Sequence, residues 1–269
     1  MSRFLRTAAL ALLGAAVLSG APGAARRETG FLDRALRFAG REWRYQVYVP
    51  RAFDPGEEWP VVLFLHGSGE RGTDGLRSTC QGVAQAIRIH PERFPLIAVF
   101  PQCPDDSVWI GQPADAALAA LDQAMVEFHG DPRRVYLTGL SLGGYGTWHV
   151  AASHPGRFAA LVPVCGGIVE PSAPHHVKAS PLVRGAGDPY AAMAELVRGT
   201  PAWIFHGGDD PIIPAAESRR MSAALKALGS PETLTVYEKV GHGCWDDAYG
   251  EPGLWPWLLA QRLVPRDPK

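Results

Sequence analysis

From Arg44 onward, the chain alternates short apolar runs with longer segments of helical periodicity. Runs such as Val61–Leu65 and Ala160–Val164 are apolar at nearly every position, which is typical of parallel strands covered by helices on both faces. This alternation predicts an α/β protein with a mostly parallel central sheet and helices on both faces. The predicted strands are Arg44–Val49, Val61–Leu65, Leu96–Phe100, Val135–Thr138, Ala160–Val164, Ala202–Phe205 and Leu234–Glu238, and the predicted helices are Ala114–Phe128, Tyr145–His154, Ala215–Leu228 and Leu254–Leu263.

Charge and composition narrow the classes of partner. The chain has 26 Lys and Arg residues against 27 Asp and Glu, so its formal net charge is −1. This balance gives no electrostatic basis for binding nucleic acid or an anionic membrane surface. A hydrophobic share of 46% also excludes an intrinsically disordered chain. We therefore expect a globular protein without a nucleic-acid partner, whose oligomeric state the sequence leaves open.

The first 25 residues have the layout of a secretory signal. Arg3 and Arg6 supply a positive start, Thr7–Leu18 is an uncharged apolar run, and small residues follow through Ala25. The run is shorter than the roughly 20 apolar residues that a bilayer-spanning helix needs. We therefore predict that residues 1–25 are a signal peptide and that the mature protein is secreted or periplasmic, with no stable membrane insertion.

The rest of the chain is predicted to be one domain, residues 26–269. No internal repeat divides it, and strand and helix patterns alternate through most of its length. The stretch 169–200 is the exception, since it is rich in Pro, His and Gly and has no firm period. We expect this stretch to be a cap or a loop excursion over one end of the sheet.

The strongest motif lies where a predicted strand meets a predicted helix. Gly139-Leu-Ser141-Leu-Gly143 fits G-x-S-x-G, after the apolar run Val135–Thr138 and before a helical pattern. A nucleophile elbow requires this context. Its glycines stand where a Cβ would collide in a tight turn, and the helix directs N-terminal N–H groups at the site. Ser141 is the predicted nucleophile; the alternative is a Gly-rich helix start whose serine only caps the helix.

A serine hydroxyl is a poor nucleophile until a base accepts its proton, so a histidine and an acid are expected further along the chain. His242 lies in a Gly-His-Gly loop just after a predicted strand, and Asp209 and Asp210 follow another. The chain order serine, acid, histidine is the one found with nucleophile elbows. Asp210 is favoured as the acid that orients His242, with Asp209 as a turn residue. Taken alone, His242 would be better interpreted as a solvated loop histidine.

The glycine-rich segment after Val61–Leu65 offers backbone N–H groups. Acyl transfer places negative charge on a carbonyl oxygen, and two N–H groups directed at that oxygen stabilise it. We predict that Ser68 and Leu142 supply these two donors.

The same segment has an alternative interpretation as a dinucleotide site. Gly67, Gly69 and Gly72 fit G-x-G-x-x-G, and Glu92 lies 20 residues past Gly72. Because His66 precedes the glycines and no helical pattern follows them directly, this interpretation is disfavoured but stays open.

Five stretches resemble α/β-hydrolases, and within them secreted single-domain esterases related to dienelactone hydrolases and to the prolyl oligopeptidase catalytic domain. They are LFLHGSGERG, VFPQCP, RRVYLTGLSLGGYGTWHVAASHPGRFAALVPVCGG, WIFHGGDDPIIP and VGHGCWD. The resemblance implies an α/β-hydrolase fold, a Ser141–Asp210–His242 triad, an oxyanion hole at Ser68 and Leu142, and no cofactor. Such proteins include feruloyl and acetyl-xylan esterases alongside broad carboxylesterases.

The function predicted on this basis is hydrolysis of carboxylic esters through an acyl-enzyme on Ser141. The expected substrate is a small-molecule or polysaccharide-linked ester. Two alternatives stay open: a small exported serine peptidase of the prolyl oligopeptidase type, and an inactive carbohydrate-binding module on the same fold.

Four cysteines in a chain with a secretory layout allow one or two disulfides. They are Cys80, Cys103, Cys165 and Cys244, and three full pairings are open. Cys103 with Cys244 is the favoured pair, because both follow predicted strand ends at the presumed site.

The sequence gives no metal-binding pattern, since H-E-x-x-H and C-x-x-C are both missing and His175-His176 stands alone. Two tryptophans near the motifs, Trp109 and Trp245, are expected either to line a substrate pocket or to pack in the core.

Overall fold

A computed structural model describes residues 28–169 and 179–263. Eight strands form one sheet in the order β1-β2-β4-β3-β5-β6-β7-β8. The first two neighbouring pairs are antiparallel and the other five are parallel. In chain order, the strands are β1 Gly30–Phe38, β2 Arg41–Val49, β3 Trp59–Leu65, β4 Ile97–Pro101, β5 Gly130–Leu140, β6 Ala160–Val164, β7 Ala202–Gly207 and β8 Glu232–Tyr237. The predicted mostly parallel α/β class is confirmed.

Helices cover both faces of the sheet. They are α1 Val83–Ile89, α2 Gln112–Glu127, α3 Leu142–Ser153, α4 Pro189–Leu196, α5 Ala216–Ala227, α6 Trp245–Gly250 and α7 Leu254–Ala260. Successive strand residues point to opposite faces, so Val61 and Leu63 belong to one apolar core while Val62 and Phe64 belong to the other. The first core contains buried residues of α2, α3, α4 and α5, and the second contains those of α1, α6 and α7.

Every predicted strand and helix overlaps an observed one, and the differences lie in what the pattern missed. β1 was not predicted, because it forms an edge hairpin with β2 in which polar residues alternate with apolar ones. Within the described part of 169–200, α4 is not a loose excursion. Asp188 caps it by accepting from the N–H groups of Tyr190 and Ala191, and Tyr190 and Met193 are buried in the first core.

Some expectations fall outside the described residues: the signal peptide, the His175-His176 pair and most of the predicted excursion's first half. In the part of the chain that the structure describes, no helix is both long and apolar enough to cross a bilayer. The glycines at 67, 69 and 72 do not open a helix, since only short 3₁₀ turns precede α1. The dinucleotide interpretation therefore lacks the helix that it requires.

The strand order brings two loops together at the carboxyl edge of the sheet. β4 pairs with one side of β3 and β5 pairs with the other, so the order reverses at this point. The loops after β3 and β5 leave the sheet beside each other, which is where open α/β sheets bind ligands.

Backbone packs directly on backbone at this reversal. A Cβ on Gly143 would lie 1.8 Å from the carbonyl oxygen of Leu65, and one on Gly139 would lie 2.3 Å from that of Gly143. Ser141, between them, has φ +53°, a conformation that non-glycine residues adopt only at a cost. The tight turn is therefore maintained by glycines whose hydrogen atoms face neighbouring main chain.

We predict that Gly143→Ala lowers the free energy of unfolding by about 3 kcal/mol, because the new methyl must displace main chain rather than a flexible side chain. Gly250→Ala is the matched control, since no atom lies within 4 Å of its added Cβ. Urea unfolding of both variants measures the difference. Equal stabilities would show that the β5–α3 turn is not constrained as described.

Candidate active site

Ser141 lies in the turn between β5 and α3, at the carboxyl edge of the sheet. Its N–H donates to Val164 O at 2.9 Å, which ties the turn to the end of β6. The residue is 8% exposed, so only a small part of it is accessible to solvent. The strand, the glycine turn and the helix start thus place one hydroxyl at the head of α3.

His242 links Ser141 to Asp210. Ser141 Oγ and His242 Nε2 are 2.9 Å apart, and His242 Nδ1 is 2.7 Å from Asp210 Oδ2. Since a carboxylate only accepts, Nδ1 carries the hydrogen and Nε2 is left to accept from the serine hydroxyl. The structure therefore brings the three predicted residues together in the arrangement of a base between a nucleophile and an acid. Asp209 is exposed, and its N–H donates to Val240 O within the turn.

Asp210 is surrounded by donors. Its Oδ1 accepts from the N–H groups of Ile212 and Ile213 at 2.8 and 2.9 Å, while Oδ2 lies 3.3 Å from His206 Nε2. Burial alone would raise the pKa of Asp210, but hydrogen bonds from His206, His242 and Ile213 outweigh it and hold this pKa well below the usual range. The acid is therefore kept ionised and fixed in place.

The N–H groups of Ser68 and Leu142 lie in the two loops that the strand order brings together. Leu142 opens α3, and the first N–H groups of a helix have no partner within it. Within residues 28–169 and 179–263, neither N–H donates to a protein acceptor. The peptide bond between Gly67 and Ser68 is trans, so the Ser68 N–H points in the direction opposite to Gly67 O. Because His66 Nδ1 lies 2.6 Å from Gly67 O, the hydrogen bond between them fixes the orientation of this peptide group.

His66 anchors the segment that follows it, residues 67–72, through its hydrogen bonds. It is fully buried; its Nδ1–H donates to Gly67 O, and its Nε2 accepts from the N–H of Cys103 at 2.9 Å. Burial lowers the pKa of His66 to about 4. A neutral imidazole with a fixed tautomer is therefore built in beside this segment.

Trp109 packs in the core, which is one of the two roles that the sequence left open for it. Its side chain is 1% exposed, its indole N–H donates to His66 O at 3.0 Å, and it fills the space beside Gly146. Trp245 is partly exposed and meets the His242 ring edge-on at 5.8 Å between centroids. Of these two tryptophans, Trp245 is therefore the one that can contact a molecule bound at Ser141.

A cavity of about 590 Å³ opens beside residues 67–72. Arg71 connects the two, because its Nε donates to Ser68 O at 3.0 Å while its side chain lines the cavity. The lining is mixed, since charged side chains such as Asp105 and Arg184 stand beside apolar ones such as Val108. Among the residues that the structure describes, no group of three or more His, Cys, Asp or Glu side chains could hold a metal ion.

The favoured cysteine pairing is wrong in this structure, where all four cysteines are free. Cys165 and Cys244 are instead both buried in the second apolar core. Burial raises the pKa of Cys103 to about 12 and that of Cys165 well above the ordinary value. These thiols are therefore packing groups at neutral pH.

Two residues at the site were missed from the sequence, His66 and His206. His66 directly follows β3 and His206 is the second-to-last residue of β7, and each precedes a glycine in the stretches LFLHG and WIFHG. His206 Nε2 donates toward Ile213 O at 2.9 Å and Asp210 Oδ2, and its Nδ1 accepts from Ser218 Oγ at 2.7 Å. The repeated His-Gly at strand ends was the available signal, because a histidine there can bond to the loop that follows it.

We predict that the buried neutral His66 makes stability depend on pH. The unfolded chain protonates this residue near pH 6.5 and the folded chain only near pH 4, so stability is complete above 6.5 and is lost as pH falls toward 4. Between pH 6.5 and pH 4, the free energy of unfolding of the wild type should fall by about 3 kcal/mol more than that of His66→Gln. Denaturant unfolding at several pH values measures it. Exposed His90→Gln should keep the wild-type slope; a wild-type slope in His66→Gln would contradict the prediction.

Comparison with known proteins agrees with the architecture. Poly(3-hydroxyalkanoate) depolymerase C of Paucimonas lemoignei is 30% identical over 135 residues, 45% of this chain and 33% of its own length. The bifunctional acetylxylan esterase/xylanase XynS20E of Neocallimastix patriciarum is 27% identical over 65% of this chain and 22% of its own. A thermostable esterase with a known crystal structure is 31% identical in sequence to this chain. The match covers 86% of this chain and 63% of the esterase chain, and the two structures superimpose with a TM-score of 0.73. The chain thus spans less than two thirds of each of these proteins.

Residues 110–250 match the Dienelactone hydrolase family. This region contains Ser141, Asp210 and His242. Because the match covers more than half of the 269 residues, the chain belongs to the dienelactone hydrolase family.

Proposed function

We propose that the protein is a serine hydrolase that cleaves carboxylic esters through an acyl-enzyme on Ser141. The observation that carries this proposal is the continuous hydrogen-bonded chain from Ser141 Oγ through His242 to Asp210, with distances of 2.9 and 2.7 Å. The relatives named as an esterase and a depolymerase support ester hydrolysis.

In the first half-reaction, His242 Nε2 accepts the proton of Ser141 as Oγ attacks the ester carbonyl carbon. The carbonyl oxygen becomes negative, and the N–H groups of Ser68 and Leu142 stabilise it. Donors of this kind contribute roughly 3 kcal/mol each to the transition state. Asp210 stabilises the imidazolium, whose Nε2–H then protonates the departing alcohol oxygen. The products are a free alcohol and an acyl ester on Ser141.

In the second half-reaction, water takes the place of the alcohol. His242 Nε2 accepts a proton from this water, and the oxygen attacks the acyl carbonyl carbon. When the second oxyanion collapses, the bond to Ser141 Oγ breaks and Nε2–H returns the proton to it. The carboxylic acid leaves, and the original arrangement is restored without a cofactor.

The proposed substrate is a small-molecule or polysaccharide-linked ester. The name of the acetylxylan esterase relative favours the second class. The charged side chains of the cavity beside Arg71 would contact the hydrophilic part of such a molecule, and Trp245 would form an apolar wall next to His242. We further propose that residues 26–269 act as one exported catalytic domain after removal of residues 1–25, on the basis of the N-terminal sequence pattern.

Ser141→Ala should lower kcat for an aryl acetate by roughly 10⁵–10⁶-fold, because it removes the group that forms the acyl intermediate. Wild type should also react with a fluorophosphonate probe at Ser141, detected by mass spectrometry, and the variant should not. Stability should change little, which urea unfolding checks. Near-normal turnover by the variant would refute the proposal.

Asp210→Asn should lower kcat by about 10⁴-fold, because an amide at this position favours the wrong tautomer of His242. Asp209→Asn is the matched control, since it makes the same change in the adjacent exposed residue. Steady-state kinetics on the same aryl acetate compares them. If Asp209→Asn were the crippling change, the acid would be misassigned.

A further inference from the structure

Glu70 is a buried carboxylate beside the proposed nucleophile. The residue is 5% exposed, although no basic side chain in the described parts of the chain forms an ion pair with it. Its Oε1 accepts from Gln81 Nε2 at 2.5 Å, and this is the one protein donor to its carboxylate among residues 28–169 and 179–263. The main chain is fixed as well, because Gln102 Nε2 donates to Glu70 O at 3.0 Å.

The second carboxylate oxygen, Oε2, lies close to Ser141 across Gly67. A Cβ added to Gly67 would lie 2.8 Å from Leu140 Cδ1, 3.1 Å from Glu70 Oε2 and 3.7 Å from Ser141 Cβ. Gly67 therefore separates the two residues by little more than its own main chain. Gln81, just before α1, donates to the opposite oxygen, and Oε2 is the oxygen that lies next to Gly67.

The chemistry of this oxygen decides what it can bind. A carboxylate has no hydrogen to donate, and its two oxygens accept about four hydrogen bonds between them. Burial of such a group is costly unless donors or a cation compensate it. With one protein donor on Oε1, the acceptor capacity of Oε2 is available to a molecule bound at Ser141.

We propose that Glu70 determines specificity: its Oε2 accepts a hydrogen bond from a hydroxyl or ammonium group of the bound ester, and it repels an ester that carries a carboxylate at that position. The inference rests on the proposed ester hydrolysis at Ser141. Hydroxyl and ammonium groups share the donor chemistry, and only the ammonium group also neutralises the charge.

Glu70→Gln tests this selectively. The amide keeps an acceptor oxygen for Gln81 but replaces Oε2 by an NH₂ group, which donates and carries no negative charge. The substrates form two matched series. One varies the acid: methyl butyrate, its terminally hydroxylated and aminated counterparts, and monomethyl succinate. The other varies the alcohol: propyl acetate, hydroxyethyl acetate and carboxymethyl acetate.

In at least one series, wild type should prefer the donor-bearing ester to the alkyl ester and should disfavour the carboxylate-bearing one. Glu70→Gln should raise kcat/KM for the carboxylate-bearing ester about tenfold relative to the alkyl ester, because a like charge has been removed. It should lower the relative kcat/KM of a donor-bearing ester, most strongly for the ammonium compound. Acid release in a pH-stat measures all rates, and fluorophosphonate titration of Ser141 gives the concentration of active enzyme.

Glu57→Gln is the control and should leave every ratio unchanged, because Glu57 is exposed and lies before β3, at the end of that strand opposite to the one that leads into residues 67–72. Ratios within one variant are independent of how much of it folds. If Glu70→Gln changed all esters in both series by one factor, or changed none, Glu70 would not select substrates and the inference would be overturned. Failure of the proposed function looks different: wild type would hydrolyse no ester, and the probe would not label Ser141.

Discussion

The close approach of the β5–α3 turn to the end of β3 is the constraint on which the site depends. Gly143 has room for a hydrogen but not for a methyl group against Leu65 O, so two stretches of main chain meet without side chains between them. This contact brings the turn that holds Ser141 against the end of β3, where residues 67–72 begin. In the proposed mechanism, the first N–H of α3 and the N–H of Ser68 would both donate to a single carbonyl oxygen.

Three histidines at strand ends have different tasks because their partners differ. His66 is bonded to a carbonyl on one side and to an N–H on the other, and burial keeps it neutral. His206 faces Ile213 O and Asp210 through Nε2, so it supports the acid loop. His242 and His206 each have Asp210 at one nitrogen and a serine hydroxyl at the other, but His206 is fully buried while His242 is partly exposed beside Ser141. In the proposed mechanism, His242 accepts the proton of Ser141 and Asp210 stabilises the charged imidazole.

Sequence reasoning was most successful where the determinants are local. Gly139 and Gly143 around Ser141 specify the turn by themselves, and strand ends predicted the loops that contain Asp210 and His242. It was least successful where packing decides. Trp109 is apolar and close to the motifs in either role, and only the fold shows that it lies beneath His66. The positions of the cysteines likewise depend on which loops the sheet order brings together, which spacing along the chain does not encode.

The two buried carboxylates near Ser141 differ in the number of hydrogen bonds that the protein donates to them, and this difference bears on function. Asp210 receives two main-chain N–H groups and the side chains of His242 and His206, so its oxygens are saturated and its geometry is rigid. Glu70 receives one amide from Gln81. An acid that must orient a base needs all its donors supplied by the protein, since any competing ligand would disturb the tautomer. An acid that recognises a ligand instead needs an oxygen to which no protein group donates. Among the described residues, Oε2 of Glu70 is such an oxygen.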